Sequence, residues 1–362
     1  MASGADARKG EGVVAHPRGE HGGVRLCAKW AMASYWRCGQ AGFLDPRVDA
    51  KALDFAVPLG FESLIAPRGG GALRDEVLGL CRPDLAFDPV WLCHADGEDV
   101  ASRALVCRLL DPDWVLVVFR GTTPSPLRGL LREGPINGRA GQVSWSLGHG
   151  KGVERVHSGY ATTWDRMEGL VTRAVERALK ASGPQTKLVV VGHSLGGAVA
   201  TLAATRLSSE TGVPVELVTF GQPRVGDPGF AEALDGSDAL GGYLRVVLGG
   251  DLFARVPTSG IWLPAANEGR FRLEYAHAGD LLWLDPLAHK DERGGEDQEH
   301  QGKQGLFVPK GHAVPGRFWT DPRQLNPVQV IRGHATYAYA LDSKDVWPPN
   351  VMPVDADGTR TA

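Results

Sequence analysis

A strand followed by a turn and a helix, at residues 187–207, is the feature that most constrains the fold of this chain. The run Lys-Leu-Val-Val-Val at 187–191 has the length and the branched apolar content of a buried strand. It leads into Gly-His-Ser-Leu-Gly-Gly at 192–197 and then into an Ala-rich helical stretch at 198–207. Because this order is that of a βα unit in a parallel sheet, the sequence predicts an α/β fold.

Other apolar runs extend the same pattern along the chain. Residues 114–119, 215–220 and 243–248 are predicted as strands, and residues 281–284 resemble the start of another. Helical periodicity runs from about residue 24 to 39, over 161–181 until Ser-Gly-Pro at 182–184, and briefly near 230–234. The alternation predicts a mostly parallel central sheet flanked by helices.

The 362 residues are predicted to form one globular domain with two tails. Residues 1–22 are Gly-rich and charged, and such a segment cannot bury enough apolar surface to fold, so a disordered tail is predicted. The domain is expected to span residues 23–345, and residues 346–362, with three prolines, are expected to form a surface tail. Within the domain, the largely polar segment 288–313 is predicted as a solvated insertion loop.

Charge and hydropathy argue against several function classes. The formal net charge of −3 gives no field that would attract nucleic acid. No window reaches the roughly 18 uninterrupted apolar residues that a transmembrane helix needs. The first 23 residues lack the apolar stretch of a secretory signal, so we expect a cytoplasmic location, with targeting to an organelle as the alternative. The five cysteines form no CxxC pair and have no histidines at zinc-ligand spacing beside them, so no structural metal is expected. The serine chemistry predicted below needs no metal or organic cofactor either.

The turn at 192–196 has the G-x-S-x-G pattern that holds a serine nucleophile between a strand and a helix. Ser194 is the predicted nucleophile, and Gly192 and Gly196 are required because a Cβ at either position would collide with neighbouring backbone. His193 and Leu195 complete the motif. The start of the following helix adds backbone N–H groups and a partial positive charge where an oxyanion would form.

A serine needs a base and an orienting acid, and on this fold both follow the serine in the order acid, then histidine. Asp251 stands just after the strand at 243–248 and is the predicted acid. Asp227 is the rival, but an aspartate between Gly226 and Pro228 is commonly a turn or helix-capping residue.

Five histidines follow Asp251 in the chain. We favour His334 as the base, because it leads into the final predicted helix and an ordered histidine is required. His312 is the next candidate, and His277 is expected to have a structural role. The polar insertion contains the other two, His289 and His300, where a base could not be held accurately enough.

An oxyanion hole on this fold uses the N–H after the nucleophile and one from an early strand-to-helix loop. Leu195 provides the first. Thr122, in Arg-Gly-Thr at 120–122 after the strand 114–119, is predicted to provide the second, although it could instead cap a turn.

Taken together, separated motifs resemble the class 3 (fungal-type) triacylglycerol lipases of the α/β-hydrolase fold. The matching motifs are Val-Phe-Arg-Gly-Thr at 118–122, Val-His-Ser-Gly-Tyr at 156–160, Val-Gly-His-Ser-Leu-Gly-Gly at 191–197, Thr-Phe-Gly-Gln-Pro-Arg-Val-Gly-Asp at 219–227, Tyr-Ala-His-Ala-Gly at 275–279 and His-Ala-Thr-Tyr at 334–337. The resemblance runs from about residue 100 to 341. By position, it implies that Ser194, Asp251 and His334 form a catalytic triad, with Thr122 and Leu195 as oxyanion donors.

The resemblance also implies an activity. It predicts a serine carboxylic ester hydrolase that cleaves acylglycerols through an acyl-enzyme, acting on a lipid ester at a lipid–water interface. It assigns His157, His193 and His277 to structural or supporting roles. A phospholipase, galactolipase or acyltransferase with the same triad is an alternative, and a non-catalytic lipase-like scaffold is another.

Two segments depart from the family pattern. Residues 124–155 stand where the family has a short amphipathic lid, and here leucines at 127, 130 and 131 alternate with arginines at 128 and 132. A short lid helix and a solvated loop are equally compatible with this segment. The insertion at 288–313 lengthens the chain between the predicted acid and base.

Overall fold

A computed structural model describes the parts of the chain that contain the predicted sheet and the candidate site. These parts are residues 22–34, 37–38, 42–44, 53–54, 91–96, 103–109, 112–121, 141–147, 154–249, 251–264, 270–284, 305–312, 334, 337–342 and 350–351. All structural statements below concern these residues.

Sixteen strands are defined within the described residues. They are β1 (Arg37–Cys38), β2 (Gly42–Leu44), β3 (Leu53–Asp54), β4 (Trp91–Asp96), β5 (Arg103–Leu109), β6 (Trp114–Phe119), β7 (Gln142–Trp145), β8 (Glu154–His157), β9 (Lys187–His193), β10 (Val215–Phe220), β11 (Leu240–Leu248), β12 (Ile261–Pro264), β13 (Arg270–Leu273), β14 (Asp280–Leu284), β15 (Gly305–Val308) and β16 (Asn350–Val351). The strands predicted at 114–119, 187–191, 215–220 and 243–248 are therefore confirmed.

The described helices are α1 (Gly22–Ala33), α2 (Ser158–Asp165), α3 (Glu168–Lys180), α4 (Leu195–Thr211), α5 (Pro228–Asp235) and α6 (Tyr337–Asp342), with a 3-10 turn at Phe253–Arg255. The helix predicted over 161–181 is divided into α2 and α3 at Met167, which directly precedes α3. The N–H of Met167 donates to the carbonyl of Trp164. The helix predicted to end near residue 39 ends at Ala33, where the hydroxyl of Ser34 bonds to the carbonyl of Ala31. None of the helices in the described ranges has the length and apolar character needed to cross a membrane.

Ten of the strands form one sheet in the order β16-β15-β14-β11-β10-β9-β6-β5-β4-β2. The five central strands, β6, β9, β10, β11 and β14, run parallel to one another. Antiparallel pairing is confined to the flanks, where β4 and β5 extend one side and β15 pairs with β14 on the other. The predicted mostly parallel central sheet is confirmed, and the carboxyl ends of β9, β10 and β11 meet at one edge.

Helices cover both faces of this sheet. Along β6, Leu116 and Val118 contribute to a core shared with α1 and α6, whereas Val115 and Val117 contribute to a core shared with α2–α5. This alternation follows the two-residue period of a strand. All six residues of β6 are buried, as the unbroken apolar run predicted for a central strand.

Two segments predicted to lie outside the packed fold contribute strands. Residues 305–308, in the predicted insertion loop, form β15, which pairs with β14 and has three buried residues of four. This part of the insertion is Gly-Leu-Phe-Val. It has the apolar side chains that a buried strand needs, and the polar segment before it lacks them. Residues 350–351, in the predicted C-terminal tail, form β16 and pair with β15.

Candidate active site

Ser194 occupies a sharp turn between β9 and α4. Its backbone has φ 56° and ψ −131°, and it is the one residue other than glycine with positive φ among those described. Such a conformation is strained for a residue with a side chain and is typical of functional sites. The N–H of Ser194 donates to the carbonyl of Phe220 at 2.9 Å, so the end of β10 holds the turn in place.

Two glycines allow this turn to form. A Cβ on Gly192 would lie 2.3 Å from the carbonyl oxygen of Gly196, and a Cβ on Gly196 would lie 2.3 Å from the carbonyl oxygen of Phe119. Both distances are far below ordinary contact. A side chain at either position would therefore collide with the backbone of this turn.

Asp251 and His334 form a buried hydrogen-bonded pair although 83 residues separate them in the chain. Nδ1 of His334 lies 2.8 Å from Oδ2 of Asp251, and the two residues are 3% and 0% exposed. The same Oδ2 accepts a hydrogen bond from the Tyr337 hydroxyl at 2.6 Å, and Oδ1 accepts one from the N–H of Phe253 at 2.9 Å. Three donors thus compensate the burial of this carboxyl group.

Gly221 makes room for the pair at the end of β10. It has φ 58°, and a Cβ there would lie 2.5 Å from Oδ2 of Asp251 and 2.9 Å from Nδ1 of His334. Because Gly221 directly follows Phe220, whose carbonyl binds the Ser194 N–H, the acid, the histidine and the serine turn meet at one edge of the sheet.

The ring of His193 packs against the ring of His334. Its Nε2 lies 2.6 Å from the carbonyl oxygen of His334, and the two ring centroids are 4.6 Å apart. Burial holds the pKa of His193 well below 6.5, with the neighbouring His334 lowering it further. His193 is therefore neutral, and its Nε2 must carry the proton because a carbonyl can only accept.

The rival residues have other roles. Asp227 caps α5, since its carboxylate accepts a hydrogen bond from the N–H of Phe230 at 2.7 Å, as the alternative interpretation predicted. His277 bonds through Nε2 to the carbonyl of Ala254 at 2.8 Å, and burial lowers its pKa well below 6.5. His312 lies on a turn and contacts the carbonyl of Lys310. His289 and His300 lie outside the described residues.

The structure describes one of the two predicted oxyanion donors, Leu195. Leu195 is the first residue of α4, a 17-residue helix whose N-terminus begins at the serine turn. The favourable end of the helix dipole therefore lies beside Ser194. Thr122 lies outside the described residues, as does most of the segment 124–155 predicted as a lid.

The described end of the 124–155 segment is packed on the domain. Gln142–Trp145 pairs with β8, and Trp145 is buried. The indole N–H of Trp145 donates to the hydroxyl of Thr205 at 3.3 Å, and the guanidinium of Arg206 lies 4.4 Å from the centroid of the Trp145 ring. Both partners belong to α4, so this end is anchored to the helix that follows Ser194.

Sequence reasoning missed three residues of the site. Tyr337 and Gly221 were noted only as parts of motifs, and Phe253 was not considered. The spacing His-x-x-Tyr at 334–337 was a usable signal, because it places both side chains near the start of one short helix. Within the described ranges, no group of three or more metal-ligating side chains could hold a metal ion.

Residues 116–260 match the family described as Lipase (class 3). This segment contains most of β6, the serine turn and Asp251. This part of the chain is therefore similar in sequence to class 3 lipases. His334 lies outside the matched residues. The sequence match to the family and the hydrogen bond between His334 and Asp251 are therefore independent observations.

Two relatives of the class 3 lipase segment are named as acylglycerol lipases. Secreted mono- and diacylglycerol lipase 1 of Fusarium solani is 36% identical over 155 residues, which cover 43% of this chain and 41% of that protein. Secreted mono- and diacylglycerol lipase 3 of Gibberella zeae is 29% identical over 213 residues, covering 56% of this chain and 60% of that protein. The chain thus spans about half the length of these relatives.

The solved structure of a mutant form of MDLA from Penicillium cyclopium aligns with 88% of this chain and 96% of its own, with a TM-score of 0.56 and 18% identity. This likeness concerns the fold, which is that of the α/β-hydrolases, as predicted. The expected cytoplasmic location is wrong, because both relatives above are named as secreted lipases. The expected cytoplasmic location rested on the composition of the first 23 residues alone, and the composition of one segment does not determine where a protein is located.

Proposed function

We propose that this chain hydrolyses the carboxylic esters of acylglycerols through an acyl-enzyme formed on Ser194. The observation that carries the proposal is the buried hydrogen bond between His334 and Asp251, at the sheet edge that also holds the strained serine turn. A histidine held in this way next to a serine turn is the arrangement that activates a serine hydroxyl.

The hydrogen bond fixes which nitrogen can act as base. The Nδ1–H of His334 donates a hydrogen bond to Asp251, so in the neutral ring Nε2 carries a free lone pair. As Oγ of Ser194 attacks the ester carbonyl, its proton moves to Nε2, and the carbonyl electron pair moves to oxygen. Asp251 then stabilises the imidazolium, and the N–H groups of Leu195 and Thr122 bind the oxyanion.

The remaining steps release the glycerol and then hydrolyse the acyl-enzyme, and His334 transfers the proton in both. Nε2 of His334 gives its proton to the glycerol oxygen as the ester bond breaks, which leaves the acyl group on Ser194. Water then attacks the acyl carbonyl while its proton passes to Nε2, and the fatty acid leaves as Ser194 regains its hydrogen. These steps use only side chains and backbone of this chain together with water.

The substrate class rests on the relatives rather than on the geometry. The relatives named as mono- and diacylglycerol lipases support acylglycerols, and their names support action outside the cytoplasm. We propose a lipid–water interface as the place of action. The lid role of residues 124–155 and the domain limits 23–345 stay predictions.

The test compares the purified chain with its Ser194→Ala variant on emulsified diacylglycerol and triacylglycerol, with phosphatidylcholine and short soluble esters as further substrates. Ser209→Ala is the matched control, because Ser209 is exposed on the same helix α4. We expect fatty acid release from acylglycerols by the wild type and the control, and a loss of at least about 1000-fold in Ser194→Ala. Release by Ser194→Ala near the wild-type rate would refute the proposal.

A further inference from the structure

Phe253 touches both the acid and the histidine of the candidate triad. Its backbone N–H donates to Oδ1 of Asp251 at 2.9 Å. Its ring is buried, and the ring centroid lies 4.1 Å from that of His334 with an angle of 38° between the two planes. The 3-10 turn that follows Asp251 therefore presents one residue to two members of the site.

We propose that Phe253 is a positioning residue for His334 and that its aromatic ring favours the imidazolium form of this histidine. The inference rests on the proposed function of His334 as the base. A cation within about 6 Å of an aromatic centroid is attracted by the electron-rich face of the ring. The contact between Phe253 and His334 lies well inside this distance, and the burial of both residues limits screening by water.

The other groups around His334 leave this role open. Asp251 carries the negative charge that pairs with the imidazolium, and the Tyr337 hydroxyl stays protonated because burial raises its pKa well above 10. His193 is neutral, for the reasons given above, so it adds no charge and is turned toward the backbone carbonyl of His334. Arg255, on the turn of Phe253, donates to the carbonyl of Gly249 and interacts electrostatically with Asp251.

Packing alone makes a different prediction from an electronic contact. A leucine at position 253 would keep an apolar group against His334 but would lack the aromatic face. A fluorinated phenylalanine would keep nearly the same shape and would weaken the negative potential of that face. If Phe253 favours the imidazolium, both changes should lower the pH at which His334 becomes half-protonated.

The experiment follows the His334 ring by nuclear magnetic resonance during a pH titration of full-length Ser194→Ala protein. The same background carries Phe253→Leu in one sample and 3,4,5-trifluorophenylalanine at position 253 in another. Phe230→Leu is the control, because Phe230 is also a buried phenylalanine but lies on α5, where its N–H bonds to the cap residue Asp227. We expect the titration midpoint of His334 to fall by about 0.4 to 0.7 pH units in the first two proteins, the size typical of a cation–aromatic contact.

The fluorinated protein protects the test against a folding failure, since its shape is almost unchanged. An unchanged midpoint in that protein would overturn the inference, whatever the leucine variant does. The acidic limb of the pH profile of hydrolysis, measured with Ser194 present, should move by the same amount.

This design separates the inference from the proposed function. Hydrolysis by the wild type with an unmoved midpoint would refute the role of Phe253 alone. A shifted midpoint in a chain that hydrolyses no ester would refute the proposed function and would keep the contact between Phe253 and the imidazolium.

Discussion

Removing the hydroxyl of Tyr337 is a sharp test of how the acid is held. This hydroxyl donates to Oδ2 of Asp251 at 2.6 Å and accepts from the N–H of Leu248 at 3.1 Å. Burial raises the pKa of Tyr337 well above 10, so at neutral pH its hydroxyl keeps the proton and remains a hydrogen-bond donor. Tyr337→Phe deletes both hydrogen bonds while it keeps the ring that packs at 0% exposure.

The expected magnitude follows from these two bonds. A hydrogen bond to a charged group contributes about 1.5–3 kcal/mol, and a buried N–H left without an acceptor costs about 1–3 kcal/mol. Because the two losses share one group and are not independent, we expect the free energy of unfolding to fall by about 2–4 kcal/mol. Loss of one of the three donors to Asp251 should also lower kcat about tenfold, with KM little changed, since the acid no longer orients His334 as firmly.

Urea denaturation and steady-state kinetics on an emulsified acylglycerol measure the two effects. Tyr243→Phe is the matched control, because it deletes a buried tyrosine hydroxyl that donates to Gln222 at 2.8 Å and does not contact Asp251. The control should lose stability but keep kcat within about twofold of the wild type. Equal kcat values in the two variants and the wild type, all measured well below their unfolding temperatures, would refute this reasoning about Tyr337.

The remaining predictions concern the space around Asp251, the rival acid Asp227 and the half-buried His157. Gly221→Ala places a Cβ 2.5 Å from Oδ2 of Asp251, so we expect ester hydrolysis to fall at least about 100-fold while circular dichroism still reports a folded protein. Asp227→Ala should reduce the free energy of unfolding by about 1 kcal/mol through loss of the cap and leave kcat unchanged, whereas Asp251→Ala should abolish turnover. Burial lowers the pKa of His157 to about 4, so the unfolded chain binds more protons below about pH 6.5 and stability falls as the pH drops toward 4. His157→Asn keeps a helix cap without this titration, and urea denaturation should show its stability declining less, by up to about 1.4 kcal/mol for each pH unit.

The central sheet could be predicted because its strands have a local signature. Buried parallel strands appear as apolar runs, which are unbroken in β6 and over 188–191 of β9. β10 is mostly apolar, with Glu216 and Thr219 as its polar residues. β15 and β16 could not be predicted in the same way. Their pairing depends on an edge offered by β14, a contact between segments distant in the sequence.

The serine turn was predictable for the same local reason, since its geometry is determined by neighbours at 192–196. The choice of Asp251 and His334 needed the order of residues on a known fold, and the structure brings these two together across 83 residues. The spacing of His334 and Tyr337 places the tyrosine near the histidine, but the hydrogen bonds of Tyr337 and Phe253 to Asp251 could not be predicted from it. They depend on how the 3-10 turn and α6 meet in space, which no local pattern specifies.

Covalent labelling of Ser194 by a serine-directed alkyl fluorophosphonate tests the central claim most directly. Mass spectrometry of digested protein would locate the label in the wild type and in Ser194→Ala, His334→Ala and Ser209→Ala. The account predicts one label per chain on Ser194, none in Ser194→Ala, normal labelling in Ser209→Ala, and a rate at least about 1000-fold lower in His334→Ala. A label on another residue, or labelling of Ser194 at an unchanged rate without the His334 imidazole, would contradict it.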